Sequence, residues 1–216
     1  VVVIGVDGMG SVSFGKPNVP VMKELMERGS YTLRARGVLP TSSSPNWASM
    51  IMGAGPEQHG ITSNDWMPDK FEISPIAVGS GGIFPTIFGI LREQRPDATI
   101  VALYDWKDFG RLIETNATTI SLHIKDAIET AQKAVKVIEE KKPTFTFIHF
   151  DGVDHAGHAF WWGSWQHVKS VELADSLIGG VLEGIEKAGM KDKTIVLVTA
   201  DHGGKGTSHG GSTMEE

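Results

Sequence analysis

Four short stretches of this chain are apolar almost from end to end and rich in β-branched residues: VVVIGV at 1–6, ATIVALY at 98–104, TFTFIHF at 144–150 and TIVLVTA at 194–200. A strand with one face in water alternates apolar and polar residues, whereas a run lacking that alternation reads as a strand covered on both faces. Between these runs lie helical patterns at 20–28, 86–94, 122–141 and 164–188. In the last, Val168, Val171, Ala174, Leu177, Ile178, Val181 and Ile185 recur at three- and four-residue steps, the stripe of an amphipathic helix. Strands alternating with helices require right-handed crossovers, so the sequence predicts an α/β fold: a mostly parallel central sheet with helices on both faces.

A chain of 216 residues suits one domain over 1–216 and buries roughly 70% of its unfolded surface. There is no cysteine, which removes disulfides, thiolate metal sites and a cysteine nucleophile, and leaves His, Asp and Glu to hold any metal. A net charge of −6, with no basic run longer than a pair, excludes the footprint of a nucleic-acid polymer and points to a small ligand. No run of 18 apolar residues is present, so no membrane span is expected. Residues 63–85 (SNDWMPDKFEISPIAVGSGGIFP) are rich in Gly, Pro and Ser and predict a surface excursion or cap near the site. The chain begins inside an apolar run and stops at GSTMEE after a glycine-rich loop, as a trimmed or partial chain does; export, with a signal peptide removed, fits that start.

Three of the four runs lead directly into polar residues: Asp7 after the first, Asp151 to His158 after the third, Asp201 and His202 after the fourth. Ligands of open parallel sheets bind outside the carboxyl ends of the strands, so these clusters are expected to converge. Carboxylates and imidazoles are what zinc accepts when thiolates are absent. Asp154 and His158 stand four residues apart, close enough to share one ion. The register Asp151 with His155 has the same spacing; Gly157 favours the former by letting the backbone turn His158 inward, leaving Asp151 to orient a ligand from behind. Asp201 and His202 leave their strand on different sides, serving two ions or one from two directions, and SHGG offers His209 from a glycine loop. The segment LPTSSSPNWASMIMG supplies the hydroxyls of Thr41, Ser42, Ser43 and Ser44 ahead of a helix predicted to start near Pro45, where free N–H groups favour an anionic phosphate. A serine is a weak nucleophile until a metal ion on its oxygen lowers its pKa.

Six motifs in order, VIGVDG, PTSSSPN, GPEQHGITSN, DHAGH, ADHGG and SHGG, resemble the alkaline phosphatase superfamily in its type I phosphodiesterase/nucleotide pyrophosphatase branch. That branch carries P-T-x-[T/S]-x-P-N, with the nucleophile three residues before Asn; the match falls on Ser43, where Thr is the common choice. The resemblance implies that Asp154, His158 and His209 bind one zinc ion, that Asp7, Asp201, His202 and Ser43 bind a second, and that Asn64 donates to a phosphate oxygen. His209 follows the shorter DHGG–SHGG form of related bacterial members, since the third histidine lies much farther along in the nucleotide pyrophosphatases. Two such ions clamp the attacking and leaving oxygens of an in-line displacement. The implied activity is hydrolysis of a small phosphate ester, a nucleotide among them, through a covalent phosphoserine. Alternatives on this scaffold are a phosphomonoesterase or a phosphonate hydrolase, and, from another class, a non-catalytic metal-binding module. A sulfatase is disfavoured, because Trp47 stands where its motif has arginine.

Several residues also have simpler readings. Asp-Gly at 7–8 is a common turn pair, and GVDGMG fails as a dinucleotide loop because Ser13 stands where the third glycine belongs. His59 reads as a loop support, and His123, His149 and His167 as packing or surface residues. Phe160, Trp161 and Trp162 suit either stacking on a substrate ring or the core. Lys107 and Lys205 suit phosphate contact or, more simply, solvation.

Overall fold

The computed structural model describes the backbone of residues 1–216 and every side chain except that of Val12. Five strands, β1 (Val2–Val6), β2 (Ile100–Tyr104), β3 (Ile120–His123), β4 (Phe145–Phe150) and β5 (Val196–Thr199), form one sheet in the order β3-β2-β4-β1-β5. Every neighbouring pair is parallel, with Ile4 of β1 opposite Ile148 of β4 and Val198 of β5. The helices are α1 (Pro20–Arg28), α2 (Ser43–Met52), α3 (Pro56–His59), α4 (Ile87–Gln94), α5 (Ala127–Lys141), α6 (Gly152–Phe160) and α7 (Trp165–Lys187).

Side chains of a strand alternate between faces, and the two faces here bury separate cores. Val2, Ile4, Val6, Leu103 and Ile148 pack with the apolar stripes of α1, α5 and α7, including Val171, Ala174, Ile178, Val181 and Ile185. On the other face Ile100, Ala102, Phe145 and Phe147 pack with Trp47 and Ile51 of α2, Phe88 of α4 and Phe109. The parallel α/β architecture expected from the alternating runs is the one observed.

Three local expectations differ. The pattern at 122–141 becomes a helix only at Ala127, where Asp126 caps it by accepting the Glu129 N–H; Ile120–His123 instead pairs with β2 as an added edge strand. Four residues are too few for periodicity to separate such a strand from the start of the following helix. TIVLVTA, read as a strand covered on both faces, supplies the other edge: β5 pairs only with β1, and Leu197 is 51% exposed. Helix α2 begins at Ser43 rather than near Pro45, with Ser42 at its N-cap, so Pro45 sits third, where its missing N–H costs nothing.

Candidate active site

Because β1 lies between β4 and β5, the residues leaving these three strands meet at one end of the sheet. Asp7 follows β1, Asp154 and His158 lie on α6 just after β4, and Asp201 and His202 follow β5. Nε2 of His202 is 3.3 Å from Asp7 Oδ1, 3.2 Å from Asp201 Oδ2 and 3.1 Å from Ser43 Oγ. The Ser43 hydroxyl donates to Asp7 Oδ1 at 3.3 Å. Asp154 reaches His158 through Oδ2 (3.3 Å) and His209 through Oδ1 (3.6 Å). Donor atoms of Asp154, His158 and His209 fall within 4.8 Å of one another, as do those of Asp7, Asp154 and His202. Asp154 thus belongs to both groups. His158 is itself exposed, yet it joins Asp154 and His209, whereas His155, of the competing register, joins neither group.

The chemistry of this donor set fits a divalent metal. His158, His202 and His209 each turn Nδ1 to a backbone carbonyl, of Thr207 (2.8 Å), Gly203 (2.7 Å) and Thr41 (2.9 Å) respectively. A proton on Nδ1 makes those bonds and turns each Nε2 towards the carboxylates, the orientation that metal-ligating imidazoles take. Asp154 Oδ1 and Asp201 Oδ2 are buried without a hydrogen-bond donor, a costly state that a cation relieves.

Charge follows the same logic. Burial and the charge of Asp7 push the carboxyls of Asp154 up to about 8 and Asp201 to about 7. Burial also works to raise Asp7, but hydrogen bonds from His149 and His202 outweigh it and hold its carboxyl far below the usual range. Burial opposes a charge on His202, yet Asp201 and Asp7 raise it to about 10. Burial and the neighbouring His202 take His209 the other way, to about 4, and its ring stacks on His202 at 3.8 Å between centroids.

The hydroxyl segment divides its labour. Asn46 fixes the turn ahead of Ser43: its Oδ1 accepts the Val38 N–H at 2.7 Å, and its Nδ2 donates to the carbonyls of Pro40 and Ser42. Thr41 is tied to the His209 loop, donating to the Gly211 carbonyl and accepting the Gly210 N–H. Of the four hydroxyl residues, only Ser43 touches the metal-ligand candidates with its hydroxyl. Asn64 accepts the Ser44 N–H through Oδ1 at 2.8 Å, which leaves its Nδ2 to donate. Arg111 holds that loop from behind, donating to the carbonyls of Asn64 and Trp66. Gly8 has φ +69°, donates to Asp201 Oδ1, and would set a Cβ 2.8 Å from Asp154, so glycine is needed there on both counts.

Four residues absent from the predicted site set it up. Trp47, read only as a missing arginine, donates from Nε1 to Asp7 Oδ2 at 2.8 Å. His149, read as packing or surface, is fully buried, with Nε2 3.1 Å from that same oxygen. Asp105 follows β2 directly and accepts the Asp151 N–H at 2.8 Å; its place after an apolar run was the available signal, the same one that marked Asp7. Trp162 is buried, bonds the Gly8 carbonyl and stands edge-on to His158 at 5.3 Å, while Trp161 is exposed. His59 does support a loop, through Ile61 N–H and Ser49. Lys107 and Lys205 are exposed. Among the described residues, every ion pair of Asp7, Asp154 and Asp201 is with histidine, and no helix is long and apolar enough to cross a membrane.

Residues 1–81 and 92–214 match the family described as type I phosphodiesterase / nucleotide pyrophosphatase. Human ectonucleotide pyrophosphatase/phosphodiesterase family member 1 is 22% identical over 196 residues, covering 86% of this chain and 21% of that protein. Murine ectonucleotide pyrophosphatase/phosphodiesterase 5 superposes with a TM-score of 0.77 at 21% identity, over 94% of this chain and 57% of that one. Phosphonoacetate hydrolase from Sinorhizobium meliloti, bound to phosphonoformate, gives 0.66 at 19%, over 94% and 55%. The chain therefore spans about a fifth of the length of the human relative and little over half of the solved chains.

Proposed function

Starting from the fact that this chain belongs to the type I phosphodiesterase/nucleotide pyrophosphatase family, we propose that it hydrolyses phosphate diesters or phosphoanhydrides of nucleotide type through a phosphoserine on Ser43, with two zinc ions. The observation that carries this reading is the placement of Ser43 Oγ at the first turn of α2, 3.3 Å from Asp7 Oδ1 and 3.1 Å from His202 Nε2. Asp154, His158 and His209 would hold one ion, and Asp7, Asp201 and His202 with Ser43 the other. Bound there, the ions supply Lewis-acid charge that lowers the pKa of the hydroxyl and offsets charge on the departing oxygen.

Ser43 Oγ forms the new bond to phosphorus as the ester bond on the opposite side breaks; the leaving group takes the electron pair, and the proton given up by the hydroxyl ends on it. Water then attacks phosphorus, the bond to Ser43 breaks, and a proton released by that water returns to the Ser43 oxygen. Asn64 Nδ2 and the free N–H groups of the α2 N-terminus donate to phosphate oxygens, where charge builds. The excursion at 63–85, fastened at Asn64 and Trp66 by Arg111, borders the substrate as a cap within the single domain. A diester is favoured because, among the described residues, histidines alone pair with the site's carboxylates, and a diester carries one free phosphate charge fewer than a monoester to be neutralised. The ecto- prefix of the human relative's name supports an exported location, which fractionation of expressing cells checks.

Turnover of bis-p-nitrophenyl phosphate against mono-p-nitrophenyl phosphate, with and without zinc, tests the reading. Zinc-dependent preference for the diester is expected, and Ser43→Ala abolishes it while two ions remain bound. Preference for the monoester points to a phosphomonoesterase, and full activity of Ser43→Ala or of metal-free protein refutes the mechanism.

A further inference from the structure

We propose that His149 is a positioning residue for the nucleophile side of this centre, pinning one oxygen of Asp7 so that the other faces Ser43 and His202. The inference rests on the two-metal reading above and deepens it.

His149 is the fifth residue of β4, fully buried, and directly opposite Gly5 on β1, two residues before Asp7. Its Nε2 lies 3.1 Å from Asp7 Oδ2 and its Nδ1 3.4 Å from Asp105 Oδ1. Asp7 Oδ2 also takes the Trp47 N–H, and a carboxylate oxygen only accepts, so His149 meets it as an Nε2–H donor. With Nε2 turned to Asp7 and Nδ1 to Asp105, the ring presents no free nitrogen to a metal. This separates it from His158, His202 and His209, which spend Nδ1 on backbone carbonyls and present Nε2.

Asp7 Oδ2 takes a second donor, Trp47 Nε1, at 2.8 Å. A carboxylate turns as a rigid unit, so two donors on Oδ2 set the direction of Oδ1, the atom 3.3 Å from both Ser43 Oγ and His202 Nε2. The far end of the imidazole is held in turn, because Asp105 Oδ1 is anchored by the Asp151 N–H at 2.8 Å. Phe109 and Trp106 pack against the ring, with centroids at 4.8 Å and 6.1 Å. Partners that orient a ligand from behind are worth about 10–100-fold in metal affinity or activity.

The test compares wild type, His149→Gln and His149→Phe by zinc titration against a competing chelator, by the absorption of bound cobalt(II), and by kcat and KM on bis-p-nitrophenyl phosphate. In His149→Phe, one of two zinc ions weakens by about 10–100-fold, its cobalt band shifts, and kcat falls while KM changes little. His149→Gln keeps one donor for Asp7 and falls between. If the Phe variant fails to fold, the Gln variant decides. A folded Gln variant with both ions and kcat as in wild type overturns the proposal, as does a lower melting temperature with zinc affinity unchanged. A wild-type chain that takes up no zinc overturns the two-metal reading, and this proposal with it.

Discussion

Gly5 sits inside a central strand, where propensity alone says that alanine gains about 0.5–1 kcal/mol; the structure reverses that sign. A Cβ on Gly5 would lie 2.5 Å from Cη2 and 2.8 Å from Cζ3 of Trp47, where ordinary contact begins at 3.4 Å. Something must move by nearly an ångström, and neither side is free. The strand is held by β4 on one edge and β5 on the other. The indole is fully buried, with the rings of Phe109, Phe147 and His149 at 6.0, 5.9 and 5.0 Å, and its Nε1 bonds Asp7. Overpacking of this kind costs about 1–3 kcal/mol, and weakening a hydrogen bond to a charged group adds about 1 kcal/mol or more. Gly5→Ala should therefore lose about 2–4 kcal/mol, which for a chain this long lowers Tm by about 5–15 °C. Urea and thermal unfolding measure it. Replacing Trp47 with Phe removes the offending ring atoms, so in that background Gly5→Ala should cost much less. A Gly5→Ala protein melting at or above wild type, or two substitutions that add to within about 0.5 kcal/mol, would refute the argument.

Three further outcomes follow from the site. Asn64→Ala, which removes the donor held by the Ser44 N–H, should cut kcat by about 100-fold with metal content intact; an unchanged kcat removes Asn64 from the phosphate site. Zinc at about 100 times its Kd should stabilise the folded chain by about 2.7 kcal/mol per ion, and a melting temperature indifferent to zinc or chelator contradicts the donor geometry. Burial pushes the His59 imidazole down to about 4 from an ordinary 6.5, so the unfolded chain takes up the extra proton first. The stability His59 contributes is complete above pH 6.5 and is lost as pH falls towards 4. His59→Gln should therefore close on wild type in urea unfolding between pH 7 and pH 5; parallel curves for the two proteins exclude the effect.

Much of the site was legible because it depends on residues near one another in sequence. Asp7 and Asp201 each follow an apolar run, and in a parallel sheet that position alone puts them at the ligand-binding end. Asp154 and His158 share one helix face at a separation of four. The choice of Ser43 came from its motif, and the reason lies in structure: Asn46 shapes the turn that leaves Ser43 first in α2.

The parts that were not legible are those set by distant neighbours. His149 lies inside TFTFIHF, where any buried ring satisfies the pattern; its partners come from 142 and 44 positions away. The run TIVLVTA has the apolar pattern of a central strand yet lies at an edge, since a strand's own residues do not say how many strands flank it. Thr41, a nucleophile by chemistry alone but better suited to a cap or turn, ties down a loop 168 to 170 residues later, a partner its own segment does not reveal.

By itself the sequence determined the parallel α/β class, the strand ends at which chemistry gathers and the residue types able to hold zinc, because those follow from periodicity and side-chain chemistry. Only the tertiary structure decided which nitrogen of each histidine faces the carboxylates, which oxygen of Asp7 is left for Ser43 and which strand forms an edge. These depend on hydrogen bonds and packing between segments that meet only after the sheet has assembled.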